Sequence, residues 1–549
     1  MPSIMSNSNT VADRRSRSLA DVGGGTLGGL LTRRAAANPD KPAVVTAAGR
    51  LTYGELDQAA TRVAHGLLAL GLRKNDAVAI FLRNRTEWMT SWLGIARGGL
   101  VTVPVNTAYK GAFLEHALSL TKARVVITEQ ALLPALEGVI ERLPELGHLV
   151  LVVTEDADPI SAAGGVVLGY NDLITREQAR PTLPEVTPYD VAQVGLTSGT
   201  TGRSKGVVMP HLMLLVAARE NATNLGTTNR DVIYTCTPLF HGAAQLNMSL
   251  QALYLGATVV VGERFSASGF WEEVRAYDVT VFNAVGSILP MLLAQPPSER
   301  DRDHRVHRAF AAPAPSEVLL PFEDRFGVHL VEGYGMTEIK NVTYNPLGAR
   351  KVGSVGKPTE STVLQVQDEH GNEVPVGQVG EVCYRPRQPN IMFREYLGDP
   401  TATQEATRDL WFHTGDLGYV DADGYYYFVD RTKDALRRRG ENVSSYEVES
   451  VLAAFHGVLE AAAVATPSEL GEDDILAVVE TSAALDLEAL FRHCDDQLPH
   501  FMVPRYYRIV PTLPRTPTGK IQKAVLREEG RPDDVWDAEA AGLRPTRLR

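Results

Sequence analysis

A repeated alternation of strand and helix constrains this chain more than any other feature. Ala77–Leu82 reads as a strand, Thr86–Arg97 as a helix, Val101–Pro104 as a strand, Lys110–Thr121 as a helix and Ala123–Ile127 as a strand. Strands joined by helices of this length run in the same direction, because a tight turn cannot replace the crossover, so a layered α/β fold built on parallel sheet is predicted. The alternation resumes at Asp231–Thr235, Thr258–Val261 and Thr280–Asn283. Ahead of it, Leu27–Ala37 reads as an amphipathic helix, and Ala43–Val45 with Leu51–Tyr53 as a strand pair about the Gly49-Arg50 turn. A helix from Tyr53 to Leu70 carries Leu56, Ala60, Val63, Leu67 and Leu70 on one stripe. From Ser361 the texture changes to short alternating segments with Gly-rich turns, such as Val363–Gln367 and Gly380–Tyr384. That pattern predicts a small β unit appended to the large domain. Beyond Arg431 a compact α/β piece is expected, and the polar stretch 531–549 is expected to be loose.

Charge and cysteine content exclude several functions. Lys and Arg number 54 against 66 Asp and Glu, a net charge of −12, so the chain does not read as a nucleic-acid binder and any anionic cofactor must be held by local charge. Cys236, Cys383 and Cys494 are odd in number and far apart, which suggests neither a disulfide framework nor a cysteine metal site and favours a reducing cytoplasm. Residues 1–24 read as a flexible tail: Met1–Asp21 is polar, holds Arg14, Arg15 and Arg17, and has no apolar core of signal-peptide type. No apolar run of about 18 residues is present, so no membrane span is expected.

Chemistry concentrates in four segments. The first, Leu196-Thr197-Ser198-Gly199-Thr200-Thr201-Gly202-Arg203-Ser204-Lys205-Gly206, follows an apolar run. Glycines let a backbone close on an anion and turn its N–H groups inward, hydroxyls add neutral donors, and lysine adds a point charge. It is not a Walker A loop, since two residues separate Gly202 from Lys205 and a glycine follows the lysine. Standing alone, it would read as a solvated Ser/Thr/Gly turn. The others are Glu332–Glu338 (Glu-Gly-Tyr-Gly-Met-Thr-Glu), Thr414–Tyr419 (Thr-Gly-Asp-Leu-Gly-Tyr) and Pro514–Ile521 (Pro-Arg-Thr-Pro-Thr-Gly-Lys-Ile).

In this order and at these separations, the four segments resemble the adenylate-forming, or AMP-binding, superfamily: acyl- and aryl-CoA synthetases, firefly luciferase and the adenylation domains of peptide synthetases. The resemblance runs from Leu51 to Lys523, and Asn106–Gly111 with Arg439–Ser445 look like the crotonobetaine/carnitine-CoA ligase branch. It implies ATP and Mg²⁺ as cofactors and CoA as co-substrate. Thr197, Ser198, Gly199, Thr200, Thr201, Gly202 and Lys205 would hold the phosphates; Thr337 and Glu338 would approach the α-phosphate, with Glu338 on the Mg²⁺. Tyr334 would stack on adenine with Gly335 beside it, Asp416 would accept the ribose hydroxyls and Arg431 would add a second contact. Ala311–Ala314 would line adenine, although it lacks the usual glycine pair. Lys520, otherwise a solvated loop lysine, would bridge carboxylate and α-phosphate. Asp430–Asp434 matches the family hinge with Lys433 at the pivot, and Gly440 would let a pantetheine arm pass. The Arg437–Arg439 triplet would either meet CoA phosphates or simply be solvated. His241 would lie beside the acyl carboxylate.

The resemblance divides the chain into a tail (1–24), a large adenylation domain (25–430, its β unit at 360–430), a hinge (431–434), a small mobile C-terminal domain (435–530) and a loose end (531–549). The acyl pocket would lie between His241–Asn247, Asn283–Ile288 and Gly333–Thr343. Gln245, Asn247, Asn283, Lys340 and Asn341 make it polar, so a polar, branched, aromatic or carnitine-like acid is expected over a long plain fatty acid. Lys340 is either exposed, paired with a protein carboxylate, or a mark of an anionic substrate. The expected activity is ATP-dependent ligation of a small carboxylic acid to CoA. Alternatives are nitrite activation toward an arylamine, loading of a separate carrier protein, and a nucleotide-binding scaffold; homodimerisation is left open.

Overall fold

In this computed structural model, residues 25–546 are described apart from 153–165, 176–180, 198–203, 286–287, 313, 315, 432–435, 439–440, 444, 469–472, 482–483, 515–520 and 522. The predicted alternation forms a seven-stranded sheet ordered Val166–Gly169, His148–Val152, Val125–Glu129, Ala77–Phe81, Val101–Pro104, Val191–Thr197, Lys205–Pro210. Its strands are parallel except the last pair, an antiparallel hairpin in which Thr197 faces Lys205. Every residue of Ala77–Phe81, Val101–Pro104 and Val125–Glu129 is buried, as parallel strands covered on both faces require. The helix Gly111–Thr121 ends where Lys122 turns left-handed (φ 50°), so the following strand starts at Val125 rather than Ala123.

A nine-stranded sheet places Val232–Thr235, Thr258–Val261, Val281–Val285, Arg308–Ala312 and His329–Met336 in one parallel block, extended by the antiparallel strand Lys340–Tyr344. Between the two sheets, Tyr53–Ala69 packs against Thr86–Arg97. A reciprocal box, with the Thr52 hydroxyl accepting from Glu55 N and the Glu55 carboxylate from Thr52 N, starts the first of these helices. Trp88 and Trp92 anchor the second in the main core.

Four antiparallel strands, Thr362–Gln367, Gly380–Pro386, Phe412–Val420 and Tyr426–Arg431, make the small β unit. The C-terminal unit is a sheet of Val458–Pro467, Asp473–Thr481, Tyr506–Val510 and Trp536–Asp537, carrying the helices Ser445–Ala453 and Leu487–Gln497. The chain end departs from the loose segment expected. Trp536 and Asp537 pair with Tyr507 and Tyr506, Ala538 is buried, and Thr546 N donates to Asp495. Two paired residues have no readable period, so this edge strand is invisible in sequence.

Candidate active site

A hairpin brings together the segments expected to meet nucleotide and acid. His329–Met336 pairs with Lys340–Tyr344 so that Gly335 faces Asn341 and Met336 faces Lys340. The strands approach so closely that a Cβ on Gly335 would lie 2.2 Å from the Lys340 carbonyl oxygen. Glycine is therefore obligatory there. At the turn, the Thr337 methyl packs on Gly195 of the strand leading to the phosphate-type loop, 3.2 Å from where a Cβ would be. Glu338 is buried, and its Oε1 accepts from the Tyr396 hydroxyl at 2.8 Å. The Lys205 ammonium sits 4.4 Å from the centroid of the same ring. Tyr396 thus joins the loop lysine to the hairpin carboxylate, and burial followed by the Glu338 charge pushes its phenol far above the ordinary range. Sequence reasoning missed Tyr396 because one tyrosine in an irregular loop carries no pattern.

Asp416, 2% exposed, lies on Phe412–Val420 opposite Arg431 of the neighbouring strand, and its Oδ2 accepts from the Tyr334 hydroxyl at 2.5 Å. The residues assigned to ribose and adenine are therefore adjacent. Glu381 supports the turn before Asp416: Oε1 accepts from Gly415 N at 2.9 Å, while Oε2 lies 2.8 Å from His413 Nδ1 and accepts from Arg408. Cys383 Sγ lies 3.5 Å from the same His413 nitrogen, so three metal-type donors meet here. Burial, and then Glu381, push that thiol up to about 12, and Arg408 pairs with the carboxylate, so that as it stands the cluster buttresses the turn before Asp416. In the segment expected to line adenine, Ala314 N donates to Glu332 Oε1, and burial raises the Glu332 carboxyl to about 7.

On the acid side, His241 precedes a π-helical stretch, Ala243–Leu250, a rare geometry that recurs at functional sites. Its Nε2 lies 2.7 Å from Oε1 of Glu441 in the C-terminal unit. Burial would lower the imidazole, but the Glu441 carboxylate outweighs it and holds His241 above its ordinary value. Lys340 does not face a substrate. Its ammonium lies 2.6 Å from Glu220 Oε2 with both side chains buried, and Glu220 Oε1 also accepts from Ser361 N. Burial would raise Glu220, yet Lys340 and the Ser361 amide hold it below the usual carboxylate range. Of the three readings open for Lys340, exposure, pairing with a protein carboxylate or an anionic substrate, the structure shows the second.

The C-terminal unit docks on this face. The hairpin of Leu436–Arg438 and Glu441–Val443 delivers Glu441 to His241, and Ser445–Ala453 delivers Glu447 to the backbone of Ser204. Burial raises the Glu447 carboxyl to about 8. The Lys110 ammonium reaches the Asp495 carbonyl, and Ala108 and Phe113 pack on the C-terminal core, so the stretch Asn106–Gly111 is a landing surface. Arg438 departs from the CoA-phosphate expectation: it is 2% exposed, donates to Asp474 at 2.9 Å and to the Val503 carbonyl, and is spent on folding its own unit. Ser198, Gly199, Thr200, Thr201, Gly202, Lys433, Gly440 and Lys520 lie outside the described residues, and Arg431 is described through its backbone alone.

Residues 31–397, which hold the loop, the hairpin and Tyr396, match the AMP-binding enzyme family. The chain belongs to that family. Residues 447–520 match the C-terminal domain of AMP-binding enzymes, so both units of this AMP-binding enzyme are accounted for. It is 33% identical to the crotonobetaine/carnitine–CoA ligase of Escherichia coli O8 (strain IAI1) over 486 residues, 87% of this chain and 93% of that protein. Among solved structures it resembles the anthranilate CoA ligase AuaEII in complex with anthranoyl-AMP, with TM-score 0.70, 27% identity and coverage of 94% of this chain and 98% of that one. It also resembles the Mycobacterium tuberculosis fatty acyl CoA synthetase, with TM-score 0.65, 29% identity and coverage of 93% and 99%. The protein is an adenylate-forming enzyme of acyl-CoA ligase type. Among the described residues, no helix is long and apolar enough to cross a membrane.

Proposed function

We propose that the enzyme joins a small carboxylic acid to CoA in two steps. In the first, a carboxylate oxygen attacks the α-phosphorus of ATP, the bond to the β-phosphate oxygen breaks, and pyrophosphate leaves an acyl-adenylate. In the second, the CoA thiol gives up its proton, its sulfur attacks the acyl carbon, and the bond to AMP breaks. Thr197–Gly202 and Lys205 hold the phosphates, Asp416 and Arg431 the ribose, Tyr334 and Gly335 the adenine. Thr337 positions the α-phosphate, and Lys520 bridges it to the acid. A Mg²⁺ at Glu338 fits the donor, a buried carboxylate oriented by Tyr396 beside Lys205, since a hard divalent cation prefers carboxylate oxygen. Bound there, it would neutralise charge on the phosphates.

The observation that carries the thiol step is the His241–Glu441 contact. The C-terminal hairpin meets His241, which supports assigning it to the acid side of the site, with Gly440 next in sequence to Glu441 for a thin pantetheine arm. Rotation about Lys433 would alternate this pose with one that presents Lys520.

The test is pyrophosphate, AMP and thioester measured with a panel of acids, with and without CoA. Pyrophosphate with matched acyl-CoA and AMP is expected; pyrophosphate with no thioester for any acid would replace CoA by nitrite-arylamine or carrier chemistry. Lys520→Ala should lower adenylate formation by about 10²–10³, the usual cost of one preorganised donor, while a supplied acyl-adenylate still reacts with CoA. Wild-type pyrophosphate exchange in that variant would remove Lys520 from the step.

A further inference from the structure

The orientation of three asparagine amides, one buried and two half-buried, determines what they present on the side of the molecule assigned to the acid. Asn221, 1% exposed on the helix His211–Leu225, donates from Nδ2 to the Leu246 carbonyl at 3.4 Å and to Asn247 Oδ1 at 3.0 Å. A backbone carbonyl can only accept, so the Asn221 amide has one orientation, and its Oδ1 points the other way. There it accepts from the Tyr344 hydroxyl and from Asn341 Nδ2, which also donates to the Tyr344 oxygen at 2.8 Å. The chain of donors and acceptors then has two fixed ends. Asn247 must turn Nδ2 outward and Asn341 must turn Oδ1 outward, and neither atom has a protein partner among the described residues. Asn247 and Asn341 are half-buried, on the π-helical stretch that follows His241 and on the strand paired with Gly335.

Charge on this wall is cancelled. Lys340 pairs with Glu220 at 2.6 Å, and Arg219 lies 3.6 Å from Glu360. A second ionic group on the substrate would find no free counter-charge among them and would lose its hydration. An outward donor on Asn247 and an outward acceptor on Asn341 each suit a hydroxyl, which can accept from the first or donate to the second.

We propose that the acid activated here is neutral apart from its carboxylate and carries a hydroxyl, which accepts from Asn247 Nδ2 or donates to Asn341 Oδ1. This rests on the reading of the site as one that activates acids.

The test pairs acids that differ only in the hydroxyl, a hydroxybenzoate against benzoate and a hydroxybutyrate against butyrate, with crotonobetaine as a betaine and succinate as a dicarboxylate. Each is read by pyrophosphate release and, separately, by the shift in melting temperature it causes in the presence of ATP. A site built to bond a hydroxyl rejects the analogue that lacks it, so at least one hydroxy acid should exceed its partner by about tenfold or more in kcat/KM. At least one of Asn247→Leu and Asn341→Leu should lower kcat/KM for the hydroxy acid far more than for its deoxy partner, so that the preference is lost; melting temperatures check their folding, and the wild-type comparison stands without them. Equal use of both members of every pair, or preference for the betaine or the dicarboxylate, overturns the proposal. If a hydroxy acid alone stabilises the protein but no acid releases pyrophosphate, recognition stands and the ligase reading falls.

Discussion

Lys340 occupies a left-handed backbone position (φ 61°) that a lysine adopts at a cost, and its ammonium is shut away with Glu220. Both facts tie it to the stability of the hairpin rather than to a ligand. Lys340→Met would leave the Glu220 carboxylate buried with only the Ser361 amide, and removing one partner of a buried pair costs about 3–5 kcal/mol. Denaturant unfolding should show that loss, and adding Glu220→Gln should restore much of it, with KM for ATP nearly unchanged throughout. A loss below about 1 kcal/mol, the range of exposed pairs, would mean the pair is solvated. The sequence singled out Lys340 but could not choose its role, because its partner lies 120 residues away and local spacing carries no such contact. Tyr396 was missed for the same reason.

At the scale of elements, the best-read segments were those with a period. Thr86–Arg97 and Val101–Pro104 stand where the alternation put them, and the stripe Leu56, Ala60, Val63, Leu67 is buried. Elements without a period were not legible: the two-residue strand at Trp536, and the π-helical stretch, whose register depends on packing against His211–Leu225 and Val281–Val285. The motif hairpin lies between these cases, since its glycines were legible but the closeness that requires them was not. Gly335→Ala tests that closeness. Its Cβ would meet the Lys340 carbonyl at 2.2 Å and the Asn341 Cα at 2.5 Å, backbone atoms that cannot rotate away. The strands must part, which should cost about 1–3 kcal/mol as overpacking does and should raise KM for ATP and acid together, because the hairpin carries residues proposed for both. A variant with wild-type stability and an effect on one substrate alone would show that the strands yield locally.

At the scale of the molecule, the C-terminal unit docks through two titratable contacts, His241 with Glu441 and Glu447 with Ser204, so docking is coupled to pH. Tyr109 and His116 also face Ser204, and Lys523 pairs with Glu449 on the Glu447 helix at 2.6 Å. Released into water, Glu447 would return to about 4.3, whereas docked it titrates at about 8, so the docked pose binds the extra proton. Its contribution is complete below the ordinary carboxylate range and is lost as pH rises through about 8. His241 is raised in the docked pose as well, so its contribution also fades with rising pH. The thiol step, measured on supplied acyl-adenylate and divided by pyrophosphate exchange at each pH, should therefore fall between about pH 6 and pH 9. Glu447→Gln keeps an acceptor for the Ser204 amide and cannot ionise, so its profile should be flatter than that of the wild type, the remaining slope belonging to His241 and the thiol. Parallel profiles for the two proteins would mean that Glu447 is not buried against Ser204 in the state that carries out the thiol step, and the pose described above would then belong to another part of the cycle.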